Sequence, residues 1–149
     1  MSEIPTEITA VWKGDLTFVG QNTSGGTVQM GPMDGRPGVG PMQLLLVGLA
    51  GCTGMDIIAI LKKKRARVTD MQVRVKGERA ADYPKIWNAI RIQYLLWGEE
   101  LCTKDVEQAI RLSETKYCSV GAMLGRSAQL TSEYRILKPG ETAESRSEQ

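Results

Sequence analysis

Cysteine is the residue type in this chain best equipped for nucleophilic or redox chemistry, and it occurs three times, as Cys52, Cys102 and Cys118. Cys52 lies in the glycine-rich, apolar run Ala50-Gly51-Cys52-Thr53-Gly54, and Cys118 in Tyr117-Cys118-Ser119; neither belongs to a CxxC pair. The chain has no histidine. That removes Cys–His and Ser–His pairs, histidine metal ligation and imidazole proton transfer near neutral pH. The chemistry left must use thiols, carboxylates, lysines or arginines. Three scattered cysteines without histidine form no zinc-ligand spacing, so no metal site is expected. On spacing alone a small buried hydrophobe is the stronger reading of Cys52 and Cys118, because free cysteine is among the most buried residue types. Cys102, at the mouth of a predicted helix, reads as incidental.

The elements that would position these thiols follow from periodicity. Ile8 to Trp12 and Leu16 to Gly20 alternate loosely around Lys13-Gly14-Asp15 and predict a hairpin, with a third short strand at Thr27 to Met30. Gly31 to Gly40 is a loop rich in glycine and proline. Pro41 suits the first turn of a helix, and Leu44, Leu45, Val47, Leu49, Cys52, Met55, Ile58 and Leu61 fill several of its faces, which predicts a long central helix buried nearly all round. Its glycines, Gly48, Gly51 and Gly54, suggest close packing against another backbone. Lys62 to Arg67 reads as a solvated helix end, where cations complement the dipole.

Met71, Val73 and Val75 predict a half-buried strand that pairs antiparallel with the next one, carrying Ile90, Ile92, Tyr94 and Leu96. Thr103 is a candidate N-cap for a second helix, with Asp105 in its first turn and Val106, Ala109, Ile110 and Ser113 on one face. Leu130, Tyr134 and Ile136 predict a last strand. Trp12, Trp87 and Trp97 lie in or beside strands and read as core or interface aromatics. The order of elements, without a repeated βαβ unit, predicts an α+β fold with mostly antiparallel sheets and two helices.

A chain of 149 residues fits one domain, here residues 1–137, followed by a polar, fraying tail at 138–149. With a formal charge of only +2 there is no dense basic face, and nucleic acid is not an expected partner. Free cysteines and no secretory leader at Met1 to Thr6 point to a reducing, cytoplasmic setting. Pro41 to Leu61 has the length of a membrane span, but Gln43, Thr53, Asp56 and three glycines within it favour a buried core helix, and no membrane is expected.

The runs Pro41-Met42-Gln43-Leu44-Leu45-Leu46, Gly51-Cys52-Thr53, Lys64-Arg65, Gly77-Glu78-Arg79 and Leu112-Ser113-Glu114-Thr115-Lys116-Tyr117-Cys118-Ser119 resemble the OsmC/Ohr superfamily over about Ile8 to Ile136. The Gly-Glu-Arg and Tyr-Cys-Ser forms are more similar to the generic OsmC-like branch than to the organic hydroperoxide resistance branch. The resemblance implies an intertwined homodimer with a long central helix, and chemistry without metal or organic cofactor. It also implies a peroxidatic Cys52 that attacks a hydroperoxide, a resolving Cys118 that closes a disulfide, and a dithiol reductant that resets the pair. Family peroxidases pair the reactive cysteine with an arginine from the N-terminal sheet and a glutamate just after the helix-opening proline. This chain has Met42 and Gln43 after Pro41, and no arginine in its N-terminal strands. Arg36 is the nearest replacement, Gln43 a hydrogen-bonding one, and Arg79 and Arg126 more distant candidates. An apolar channel of Leu44, Met55 and Trp87 would favour organic hydroperoxides. The alternative is a non-catalytic, OsmC-like stress or small-ligand-binding protein that has lost its activating partners.

Overall fold

A computed structural model of the protein describes residues 5–145. The leader reading at Met1 to Ile4 and the last part of the expected tail, 146–149, lie outside the described residues. The described residues fall into two compact units, one up to residue 45 and one from residue 46 onward.

The first unit holds β1 (Ile8–Gly14), β2 (Thr17–Asn22) and β3 (Thr27–Met30), an antiparallel meander in that order. The first turn is Asp15-Leu16, with positive φ at Gly14 and Asp15, so Leu16 stands on the turn and not in the strand the alternation suggests. Trp12 faces Phe18, Phe18 faces Met30 and Gly20 faces Val28, which puts Ile8, Trp12, Phe18, Val28 and Met30 on one side of the sheet. Ile8, Trp12, Phe18 and Val28 are exposed in the single chain. Trp12 is thus no core residue among the described residues, and its indole N–H donates to the Asp15 carbonyl at 2.8 Å.

α1 (Pro41–Lys63) opens as the proline predicts. It ends where Arg65 adopts φ 59° and the Arg65 and Ala66 N–H groups bond back to Lys62 and Leu61, satisfying the last carbonyls in a Schellman arrangement. By length and composition this helix is able to cross a membrane. One face nevertheless sits in the folded second unit, with Leu49, Thr53, Ile57 and Leu61 at 0–1% exposure and spaced four apart. The expectation of burial all round fails for Val47, Met55 and Ile58, which are exposed, because the second unit supplies a sheet to one side of the helix only. Of the α1 glycines, a Cβ on Gly54 would touch Val73 at 3.5 Å, while Gly48 and Gly51 have open space.

That sheet contains β4 (Val68–Arg79), β5 (Trp87–Gly98) and β6 (Gln129–Leu137). β4 and β5 pair antiparallel as expected. β6 pairs parallel to β5, because the chain returns through α2 (Thr103–Leu112), a five-residue π-helical turn at Ser113–Tyr117 and α3 (Ser119–Leu124). The fold is thus α+β with two sheets, and three α-helices where two are expected. Cys102, not Thr103, is the N-cap of α2. On β5, Ile90, Ile92, Tyr94 and Leu96 are buried on one face. On the other, Leu95 and Trp97 form a small core with Leu137 and Ala143. The tail, expected to fray, is therefore docked as far as Glu144. The Trp97 indole donates to the Glu141 carbonyl, Arg135 donates to the Ala143 carbonyl at 3.0 Å, and Arg74 meets Glu144 at 2.6 Å.

Candidate thiol site

Cys52 and Asp56 are one helical turn apart on α1, on the same side, and both are half-buried. Cys118 approaches them from the crossover between β5 and β6. The π turn sets its position: the Cys118 N–H reaches back five residues to the Ser113 carbonyl at 2.8 Å, and the wider turn re-aims the chain before α3 begins. The two sulfurs and a carboxylate oxygen of Asp56 all lie within 4.8 Å of one another. Ser113, fully buried, fixes the carboxylate by donating its hydroxyl to Asp56 Oδ2 at 3.0 Å.

Cys118 is 5% exposed and caps α3, its Sγ accepting the Gly121 N–H at 3.2 Å. A Cβ at Gly121 would stand 3.2 Å from that sulfur and 3.6 Å from Leu49, so a glycine suits this approach. Burial above all pushes the Cys118 thiol up to about 11. The Gly121 N–H works the other way, and the adjoining Cys52 and Asp56 add to the rise. A cavity of about 190 Å³ borders Cys118, lined by Leu49, Thr53, Ile92, Glu114 and Leu130 among others. At its wall the Tyr94 hydroxyl donates to Glu114 Oε2 at 2.8 Å. Burial, and then the Glu114 charge, hold the phenol well above its ordinary value.

The structure thus brings Cys52 and Cys118 together. It places Arg36 and Gln43 in the first unit, Arg36 as an exposed residue of the tight turn it closes with Met33. Gln43 Oε1 accepts the Gly40 N–H at 2.9 Å, the reciprocal half of a capping box at the start of α1. Arg79 donates to the Lys85 carbonyl at 2.8 Å and lies over the Trp87 ring, while Arg126 and Cys102 are exposed. The expected channel is not formed by Met55 and Trp87. Met55 is 76% exposed, and Trp87 is buried against Gly77, whose hypothetical Cβ would stand 2.6 Å from the ring. Asp56 is the site residue the sequence reading misses, together with its partner Ser113. Its position four residues after Cys52 was the available signal.

Residues 33–133 match the profile of the OsmC-like protein family. The chain is 32% identical over 126 residues to protein YhfA of Escherichia coli K12, covering 85% of this chain and 94% of that one. A crystal structure of a hypothetical protein from Aquifex aeolicus VF5 superposes with a TM-score of 0.81 at 35% identity, over 91% of this chain and 98% of the other. The OsmC-like protein of Mycoplasma pneumoniae has the same fold, with a TM-score of 0.75 at 16% identity, over 91% and 99% of the two chains. The organic hydroperoxide resistance protein OhrB of Bacillus subtilis superposes less closely, with a TM-score of 0.57 at 15% identity, over 89% and 98%. On the profile match and the identity to YhfA, the chain belongs to the OsmC-like family.

Proposed function

We propose that the protein is a cytoplasmic thiol peroxidase that reduces hydroperoxides, organic ones included, through Cys52 and Cys118. The observation that carries this reading is the meeting of two free thiols from distant parts of the chain beside a cavity. Cys52 is the more exposed of the pair and takes the attacking role. Its thiolate attacks one peroxide oxygen, the O–O bond breaks, and the departing alkoxide takes a proton to leave as an alcohol, with Cys52 as sulfenic acid. The Cys118 sulfur then attacks Cys52, the S–O bond breaks and water leaves, giving the disulfide. An external dithiol returns both thiols by exchange.

We place the active unit in a homodimer. The apolar face of the first sheet and the outward residues Val47, Met55 and Ile58 of α1 are open in the single chain, and a second copy would cover them. A second reading is a non-catalytic ligand-binding protein. It is favoured by the carboxylate of Asp56 beside the thiols, since a neighbouring negative charge opposes thiolate formation.

Stopped-flow oxidation of the reduced protein by cumene hydroperoxide and by hydrogen peroxide tests the first reading, with sedimentation velocity on the same sample. The expected result is a dimer oxidised far faster than a small free thiol, with Cys52→Ser inert and Cys118→Ser halted at a sulfenic acid that dimedone traps. Oxidation at the rate of a free thiol overturns it in favour of the second.

A further inference from the structure

The cluster at the end of the π turn is also a ligand set. In a tetrahedral zinc site, sulfur at about 2.3 Å and carboxylate oxygen at about 2.0–2.2 Å put ligand atoms roughly 3.3–3.8 Å from one another. The Cys52 and Cys118 sulfurs and an Asp56 oxygen already lie within 4.8 Å, so side-chain rotation of about an ångström closes the set. Cys52 and Asp56 share one helix face, and Cys118 arrives from a separate element, which gives three points around one centre. The outer shell is also in place. Ser113 holds one oxygen of Asp56 and leaves the other free to coordinate, and the Gly121 N–H supports charge on the Cys118 sulfur.

We propose that in the reduced protein Cys52, Cys118 and Asp56 bind one thiolate-preferring divalent cation of the zinc class per chain, with the fourth position left to water or a small ligand. Binding displaces one proton from each thiol and leaves oxidation states unchanged. It excludes the disulfide and the disulfide excludes it, so the cation shields the thiols from peroxide. The site does not depend on the peroxidase reading.

Anaerobic titration of the reduced full-length protein with Cd2+, followed by the sulfur-to-metal charge-transfer absorption, and with Zn2+ against a chromophoric chelator, tests it. The expected result is one equivalent bound with a two-thiolate absorption. Affinity should fall at least about tenfold in Asp56→Asn and the absorption should halve in Cys52→Ser, with Cys102→Ser unchanged. Oxidising the wild-type protein with diamide should abolish binding and a reductant restore it, which tests the site without a substitution. Binding that is absent, or lost in Cys102→Ser, or untouched in Asp56→Asn, overturns the proposal. A protein that binds the cation but meets peroxide as a free thiol does overturns the peroxidase alone; the reverse result overturns the metal site alone.

Discussion

Cys118 keeps its proton far into the alkaline range because burial, and then Cys52 and Asp56, disfavour its thiolate more than the Gly121 N–H favours it. The sign follows directly: a thiol raised from 9.0 to about 11 is still overwhelmingly protonated at pH 9, where an unperturbed one is half ionised. Alkylation of Cys118 by iodoacetamide, read site by site by mass spectrometry, should therefore keep climbing about tenfold per pH unit past 9 and level off only near 11. A plateau near 9 would show that the fold does not perturb it. Such a thiol suits a resolving role, in which it waits as a neutral neighbour for Cys52 to be oxidised. Ser113 matters at the same scale, since its hydroxyl gives the half-buried Asp56 carboxylate a donor inside the protein.

Among the elements, β4 and β5 meet closely where the Trp87 ring lies against Gly77, leaving no room there for a Cβ. Gly77→Ala places a methyl group against the indole and should cost about 1–3 kcal/mol, read as a lower urea midpoint with unchanged slope. Strand and helix positions are largely legible in the sequence, because alternation marks β4 and β5 and the proline and apolar run mark α1. The direction of β6 is not, since Leu130, Tyr134 and Ile136 alternate identically whether the strand runs parallel or antiparallel. The π turn and α3 escape notice because their five and six residues carry too short a pattern to register. The docked tail escapes too: Ala143 is one small residue in a polar segment, and its place is set by Leu95, Trp97 and Leu137, distant in the chain or on another element. At the site the cysteines are legible and Asp56 is not, because a carboxylate amid apolar residues resembles a solvated helix position until Cys118 and Ser113 arrive from the crossover.

In the whole molecule, the site is built by long-range closure. Its two thiols are separated by 54 residues outside α1, from Lys64 to Tyr117, as well as by the last turns of that helix, and they meet only once the crossover carrying α2 and α3 has folded against the sheet. Parallel pairing of β5 with β6, which joins Ala89 to Gln129, needs the same closure, and such non-local contacts form late. A bond between Cys52 and Cys118 would turn this span into a covalent ring. A cross-link over a loop of this size removes about 4 kcal/mol of chain entropy from the unfolded state. The oxidised protein should accordingly melt several degrees above the reduced one in calorimetry, and equal melting temperatures would mean that the cross-link strains the native site by as much as it restrains the unfolded chain. The proximity of two sulfurs would then have a meaning apart from peroxide reduction: an oxidation that joined them would staple the fold, the oxidised form would resist unfolding more than the reduced one, and reduction would return the chain to its more labile state.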